Sequence, residues 1–294
     1  MRFIFLLAIV TASAISFALR AQNILTSIKP IQMITLEITK GISTPDVLLS
    51  NNISPHGYSL RPSDLKRIER AKLIIWYGHN LEPFLEKILL KRRNILELSE
   101  LFGLKSQEKH HVDKFSDYEH DHKNHDPHFW LGKKPTIRVA QAIAYKLVEM
   151  DPENKVRYLR NLSNFVDTLE HISAKIDSQL KPVREKGYYV FHDAYKYFEK
   201  DYALNHLGYF TIIPDRKPGA KTLMSIRTAL LSNKAKCVFS ELQFPPSLVH
   251  SSIKGSAVNV GVLDPIGSSI NVENGSYFRL LQSLSDSFSE CLMK

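Results

Sequence analysis

The sequence predicts an α/β protein of two Rossmann-like lobes, each on a parallel sheet, joined by a long rigid helix with a ligand site where the lobes meet. Three observations lead there. Apolar strand-like runs alternate with helical patterns from Asn23 to Met150, and the alternation restarts at Tyr188. Between the two halves, Val156, Leu159, Leu162, Val166, Leu169, Ile172, Ile176 and Leu180 recur at helical spacing up to Pro182. That run of ~30 residues would extend ~45 Å, enough to cross a lobe.

The elements follow in order. Met1-Arg2, the apolar run Phe3 to Phe17 and the small residues around Ala18 have the pattern of a secretory signal peptide over 1–18. The apolar run is too short for a membrane anchor and no cysteine follows to carry a lipid. The first lobe, 22–150, begins with a strand at Asn23 to Ile28 and a helical pattern through Ile31, Ile34, Leu36 and Ile38. Val47 to Leu49 is a second strand, Ser63-Asp64 opens a helix, and Ala71 to Tyr77 is a buried strand closed by Gly78. Residues 105–126 have no apolar period and are rich in His, Asp, Lys and Glu, which reads as a long polar loop. Asp151-Pro152-Glu153 has the composition of a helix start, with Asp151 as the cap of a connecting helix over 151–183. In the second lobe, 184–294, strands are expected at Tyr188–Phe191, Tyr209–Ile213, Cys237–Phe239 and Val258–Leu263, with a helix at Leu223–Leu231.

The net charge of +9 does not indicate nucleic acid, because Lys and Arg are scattered among Asp and Glu without aromatic interleaving. The reading is a solvated basic surface, with no nucleic-acid partner. The two cysteines, Cys237 and Cys291, read as one disulfide in an exported protein.

Histidine is the informative residue: six of the twelve lie between His110 and His128. In parallel sheets, ligands bind outside the carboxyl ends of the strands. His192, Glu241 and Asp264 fall just past three such ends, His56 follows the Val47–Leu49 strand, and His128 stands at the end of the polar loop. Imidazoles His56, His128 and His192 with one carboxylate or water would complete a tetrahedral zinc site.

Several segments carry a resemblance. Ser54 to Asp64 (SPHGYSLRPSD), Asp126 to Leu131 (DPHFWL) and Phe191 to Phe198 (FHDAYKYF) are similar to the three ligand motifs of the cluster A-I metal-binding receptors of ABC importers. Cys237 to Phe244 and Leu263 to Gly267 resemble further family segments, and the resemblance runs in order from about Ile24 to Leu292. Histidine at 192 and the His-rich insert before His128 point to the zinc-specific, ZnuA-type members. The resemblance implies a periplasmic receptor that binds Zn2+ at the lobe interface and delivers it to a membrane permease, as a monomer without catalysis. It also implies a Cys237–Cys291 disulfide. Some zinc members carry a glutamate before the first ligand histidine, where this chain has Pro55. The fourth ligand is therefore Asp264, a position matching a carboxylate ligand in manganese relatives, or else Glu241 or water.

The remaining histidines have plainer readings. His110, His111, His120, His122 and His125 would form a weaker auxiliary metal loop. His79 would be a neighbour of the crevice or a surface residue, His171 solvated, and His206 and His250 structural. Rival functions are a secreted zinc hydrolase using the same histidines, and a manganese receptor or adhesin of the same family. Against the hydrolase stand the missing HExxH motif and the spread of ligands over both lobes.

Overall fold

The computed structural model describes residues 23–49, 53–103, 126–212, 219–232, 234–245 and 247–294. The signal segment and the five loop histidines between 110 and 125 lie outside these residues.

The first sheet contains β1 (Ile24–Ile28), β2 (Asp46–Leu49), β3 (Leu73–Trp76) and β4 (Ile95–Glu97), in the order β2-β1-β3-β4 and all parallel. Helices α1 (Lys29–Ile38), α2 (Pro62–Arg70) and α3 (Pro83–Leu89) connect them. β1 is buried along its whole length, as a central parallel strand covered on both faces must be. Its two hydroxyls are satisfied internally: Thr26 donates to the Asp46 carbonyl at 2.9 Å and Ser27 to the Glu82 carboxylate. The polar letters in ILTSI therefore do not conflict with burial. Pro30 sits in the first turn of α1, where a missing N–H costs nothing.

The second sheet has the same design. β5 (Gly187–His192), β6 (His206–Thr211), β7 (Ala235–Glu241) and β8 (Asn259–Leu263) run parallel in the order β6-β5-β7-β8. In chain order they are linked by α6 (Lys196–Tyr202), α7 (Ala220–Leu231) and α8 (Ser247–Ile253). The sequence places β6 too late: it begins at His206, not Tyr209, and Ile213 lies outside the described residues. Each sheet reverses its order once, between β1 and β3 and between β5 and β7. Those reversals open the crevices where α/β proteins bind ligands.

Between the sheets, α4 (Lys133–Met150) and α5 (Lys155–Leu180) form an antiparallel pair around a tight turn at Pro152–Asn154. α5 has 26 residues, which corresponds to about 39 Å. It starts four residues later than the sequence suggests, because Asp151 does not cap it. The Asp151 carboxylate instead accepts bonds from Asn154 Nδ2 at 2.8 Å and from Tyr158 Oη at 3.0 Å.

Nor is α5 a bare connector. It packs on α1 and α4 of the first half and on α9 (Ser276–Met293) of the second, burying Tyr158, Phe165, Leu169 and Ile176. α9 in turn touches α1 as well as β7 and β8. One continuous apolar cluster thus runs from Ile24 in the first sheet to Leu292 in the last helix. Buried polar bonds cross the same boundary. Trp130 Nε1 donates to the Pro265 carbonyl at 2.7 Å, Tyr277 Oη to the Trp130 carbonyl at 2.7 Å, and Asn161 Nδ2 to the Ile38 carbonyl at 2.9 Å.

The expected disulfide is present, joining Cys237 inside β7 to Cys291 in α9. Gly261 on β8 makes this approach possible, since a Cβ there would meet the Phe239 ring at 2.5 Å and Cys291 Cβ at 3.2 Å. The bond clips α9 to the second sheet across a separation of 54 residues. A loop of that length contributes about 4 kcal/mol in the chain-entropy account. Reduction, or Cys291→Ala, is expected to lower unfolding free energy by about 2–4 kcal/mol, read from urea melts with and without reductant. Unchanged melts would mean that the crosslink constrains nothing in the unfolded chain.

Candidate metal centre

The carboxyl ends of both sheets meet at three imidazoles. His56 lies in the turn after β2, and its backbone N–H donates to Ser54 Oγ at 3.3 Å. His128 immediately precedes a short 3₁₀ turn, Phe129–Leu131, whose three side chains are buried. His192 is the last residue of β5. One ring nitrogen from each of the three lies within 4.8 Å of those of the other two, and this is the metal-competent group among the described residues. The structure thus brings together the three histidines singled out in the sequence, from positions separated by 72 and 64 residues.

Carboxylates set the direction in which two of the rings point. Asp126 Oδ1 binds both the backbone N–H of His128, at 3.0 Å, and its ring Nδ1, at 2.7 Å. Glu241, the last residue of β7, places both oxygens against His192 Nδ1, at 2.9 and 3.0 Å. Tyr195 donates its hydroxyl to the same Glu241 at 3.0 Å, which fixes the carboxylate in turn. Carboxylates accept, so each Nδ1 carries the proton and each Nε2 keeps its lone pair. The two Nε2 atoms face each other at 3.2 Å. Two lone pairs at that distance repel unless a cation or proton lies between them. Two ligands at a zinc–nitrogen distance of about 2.05 Å and a tetrahedral angle would be about 3.3 Å apart. The donor set and its spacing therefore fit zinc.

Electrostatics favour the same form. Burial, followed by the proximity of His128 and His192, pushes the His56 pKa down to about 2, so its ring is neutral and ready to coordinate. Burial would raise the Asp126 pKa, but the bonds and charge of His128 outweigh it and hold the carboxyl below its ordinary value. The space between the rings is small, about 20 Å³, and is walled by Pro55, Trp130, Phe244, Pro265 and Ile266. It suits one ion or water.

Not every candidate joins the group. Asp264 is not among the converging ligands. Its Oδ1 accepts from Gln243 Nε2 at 3.0 Å, and its Oδ2 accepts from the Ser269 backbone N–H at 3.0 Å and Oγ at 3.1 Å. The turn after β8 thus uses this carboxylate as its own cap. Glu241 is engaged with Nδ1 of His192, on the side of the ring away from His128. His79 pairs at the surface with Glu86 at 2.9 Å, His171 and His250 are exposed, and His206 stacks on Tyr188 and bonds Glu199 at 3.1 Å. The sequence reading assigned no role to Asp126, Tyr195 or Gln243. Asp126 was detectable, since an Asp two residues before a ligand can bond both its backbone and its ring. Tyr195 and Gln243 reach the site only through folding.

Comparison with known proteins agrees with this geometry. A sequence model of the ZnuA family, the periplasmic component A of zinc-uptake complexes, matches residues 24–291. The high-affinity zinc uptake system protein ZnuA of Haemophilus ducreyi is 39% identical over 288 residues, covering 92% of this chain and 93% of that protein. Its counterpart from Yersinia pestis is 39% identical over 295 residues, covering 94% and 93%. Among solved structures, a ZnuA crystal structure superposes with a TM-score of 0.77 at 25% identity, over 92% of this chain and 99% of that one. The laminin-binding protein of Streptococcus agalactiae shares the fold, with a TM-score of 0.76 at 22% identity over 92% of this chain and all of that one. The chain belongs to the ZnuA family of periplasmic zinc-uptake components.

Proposed function

We propose that this chain is the zinc receptor of an ABC importer: it captures Zn2+ in the periplasm with His56, His128 and His192 and delivers it to a membrane permease. Zinc is cargo here, not a resident cofactor. The observation that carries the reading is the convergence of three imidazoles, two of them aimed by buried carboxylates. An all-nitrogen set suits zinc, whereas manganese favours carboxylate oxygen. Water takes the fourth position, since Asp264 and Glu241 are both engaged elsewhere. The absence of an HExxH motif and the spread of the three histidines over both halves of the chain argue against a hydrolase. The protein acts as a monomer, without nucleic acid. Its sequence divides into the leader 1–18, lobes 22–150 and 184–294, and the helical segment 151–183.

Competition titrations with Zn2+ and Mn2+ test this directly. His192→Ala removes a ligand and is expected to weaken zinc binding at least 100-fold. His192→Glu keeps a ligand and narrows the preference for zinc over manganese. Wild-type zinc affinity in His192→Ala would mean that the second lobe does not hold the metal.

The metal-free protein should also show the cost of His56. Its pKa is about 2 when folded and 6.5 when unfolded, so between those values the unfolded chain binds the extra proton. Stability is therefore lost as pH falls below 6.5, by up to about 1.4 kcal/mol per pH unit. Between pH 7 and 5, the apo wild type should lose about 2 kcal/mol more than apo His56→Gln. Burial raises the Glu82 pKa to about 7, and this acts in the opposite direction, but it is common to both proteins and cancels. Equal pH dependence of the two urea midpoints would refute the assignment.

His110, His111, His120, His122 and His125 supply auxiliary, weaker zinc sites, because gathering histidines of one polar segment around an ion costs conformational entropy. Deleting Lys109 to His125 is expected to lower the zinc stoichiometry and leave one tight site, counted by calorimetry. Loss of the tight site would place a primary ligand in that segment.

A further inference from the structure

The three-imidazole reading leaves a question of chemistry: why a carboxylate so near the ligands does not join them. β8 pairs with β7 in a register that sets Leu263 beside Glu241. Asp264, the next residue, is thus one strand away from the carboxylate that orients His192. Pro265, which follows it, already lines the crevice. An aspartate there would be a natural fourth ligand, and it would give the site oxygen character and negative charge.

We propose that Gln243 is a specificity-determining positioning residue, which holds Asp264 outside the coordination shell and leaves the fourth position to water. Gln243 lines the crevice together with the three histidines. Its Nε2 donates to Asp264 Oδ1 at 3.0 Å and to Ser268 Oγ at 2.7 Å. Asp264 Oδ2 is held at the same time by Ser269. Lys29, from the first lobe, adds an attractive charge near Asp264 and donates to the Ser268 carbonyl at 3.0 Å. Both oxygens of the aspartate are thus engaged by the turn it caps, and Gln243 is the link between that turn and the metal crevice.

The amide has a definite orientation. A carboxylate only accepts, so Gln243 must present its NH2 to Asp264, which leaves Oε1 on the other branch. That Oε1 is buried and has no hydrogen-bond partner among the described residues. A buried acceptor without a donor is costly, and a metal-bound water is a donor. One side chain thereby performs two tasks: its nitrogen retains the aspartate and its oxygen accepts a hydrogen bond from the water that completes the tetrahedron. The consequence is selectivity. Three neutral imidazoles and a neutral water favour a borderline cation such as zinc, whereas an added carboxylate would raise affinity for manganese. Groups just outside the ligand shell commonly tune metal affinity by 10- to 100-fold.

The inference rests on the three-imidazole site, and the test separates the two. Gln243→Met removes the amide at similar length, and Gln243→Asn is a smaller change that falls one methylene short. Each is prepared as the full mature protein and titrated with Zn2+ and Mn2+, and Co2+ serves as a visible-absorption probe of coordination number. Both variants are expected to narrow the zinc-to-manganese affinity ratio at least 10-fold and to weaken the tetrahedral cobalt bands as Asp264 enters. Adding Asp264→Asn should restore the wild-type ratio and spectrum, while Asp264→Asn alone should change zinc affinity less than threefold. A wild-type ratio and cobalt spectrum in both Gln243 variants would overturn the proposal. So would a loss of zinc affinity above 10-fold in Asp264→Asn alone, since Asp264 would then be a ligand already. Retention of wild-type zinc affinity in His192→Ala would instead remove the underlying site, and the role of Gln243 with it.

Discussion

The hydrogen bond between His192 and Glu241 is the contact around which the site is arranged. β5 and β7 are the neighbouring strands at which the second sheet reverses its order, and these two residues are their last. The bond therefore spans the mouth of the topological crevice and turns the free nitrogen of His192 toward the first lobe. With both side chains almost fully buried, the pairing has little competition from water. His128 is oriented by the same device, with Asp126 in place of Glu241. Two opposed carboxylate–imidazole pairs set their free nitrogens at metal-bridging distance. Ring directions fixed by carboxylates limit the ordering cost of binding.

That arrangement requires the two lobes to keep their relative position, and the packing supplies the restraint. His56 and His128 belong to the first lobe and His192 to the second. α5 and α9 contact both lobes, and one apolar cluster covers the boundary. Trp130, two residues beyond His128, donates across the crevice to the Pro265 carbonyl, so the segment carrying His128 is tied to the loop after β8. Wide separation of the lobes would break such buried bonds and expose the shared core. Hinge motion at this site is thus constrained in a way that two lobes linked by a free helix would not be.

The neighbourhood of the imidazoles shows how similar groups are given different tasks. Carboxylates at or near the carboxyl ends of the strands divide the tasks among them. Glu241 and Asp126 serve imidazoles, Asp264 caps a turn, and Glu82 accepts from Ser27 and the backbone N–H groups of Tyr77 and Gly78. None of these four joins the three imidazoles in the converging group. A site with this many nearby acids remains one of neutral donors because each acid is occupied by a hydrogen-bond donor.

The sequence alone determined the α/β class, the long helix, the disulfide and the three histidines that converge in the fold. Strand composition and helical periodicity are local properties, and His56, His128 and His192 sit in motifs whose neighbours carry their own signature. Other features were decided only by the tertiary structure. Asp151 has the composition of a helix cap, yet it bonds Asn154 and Tyr158, because a side chain chooses among the donors that packing brings to it. Asp264 has the residue type and strand-end position of a ligand, but Gln243 and Ser269 take its oxygens. The union of the lobes through α9 was equally hidden, since an amphipathic helix does not say which apolar face it will cover. Residue type sets what a group can bind; only the folded neighbours decide which bond it makes.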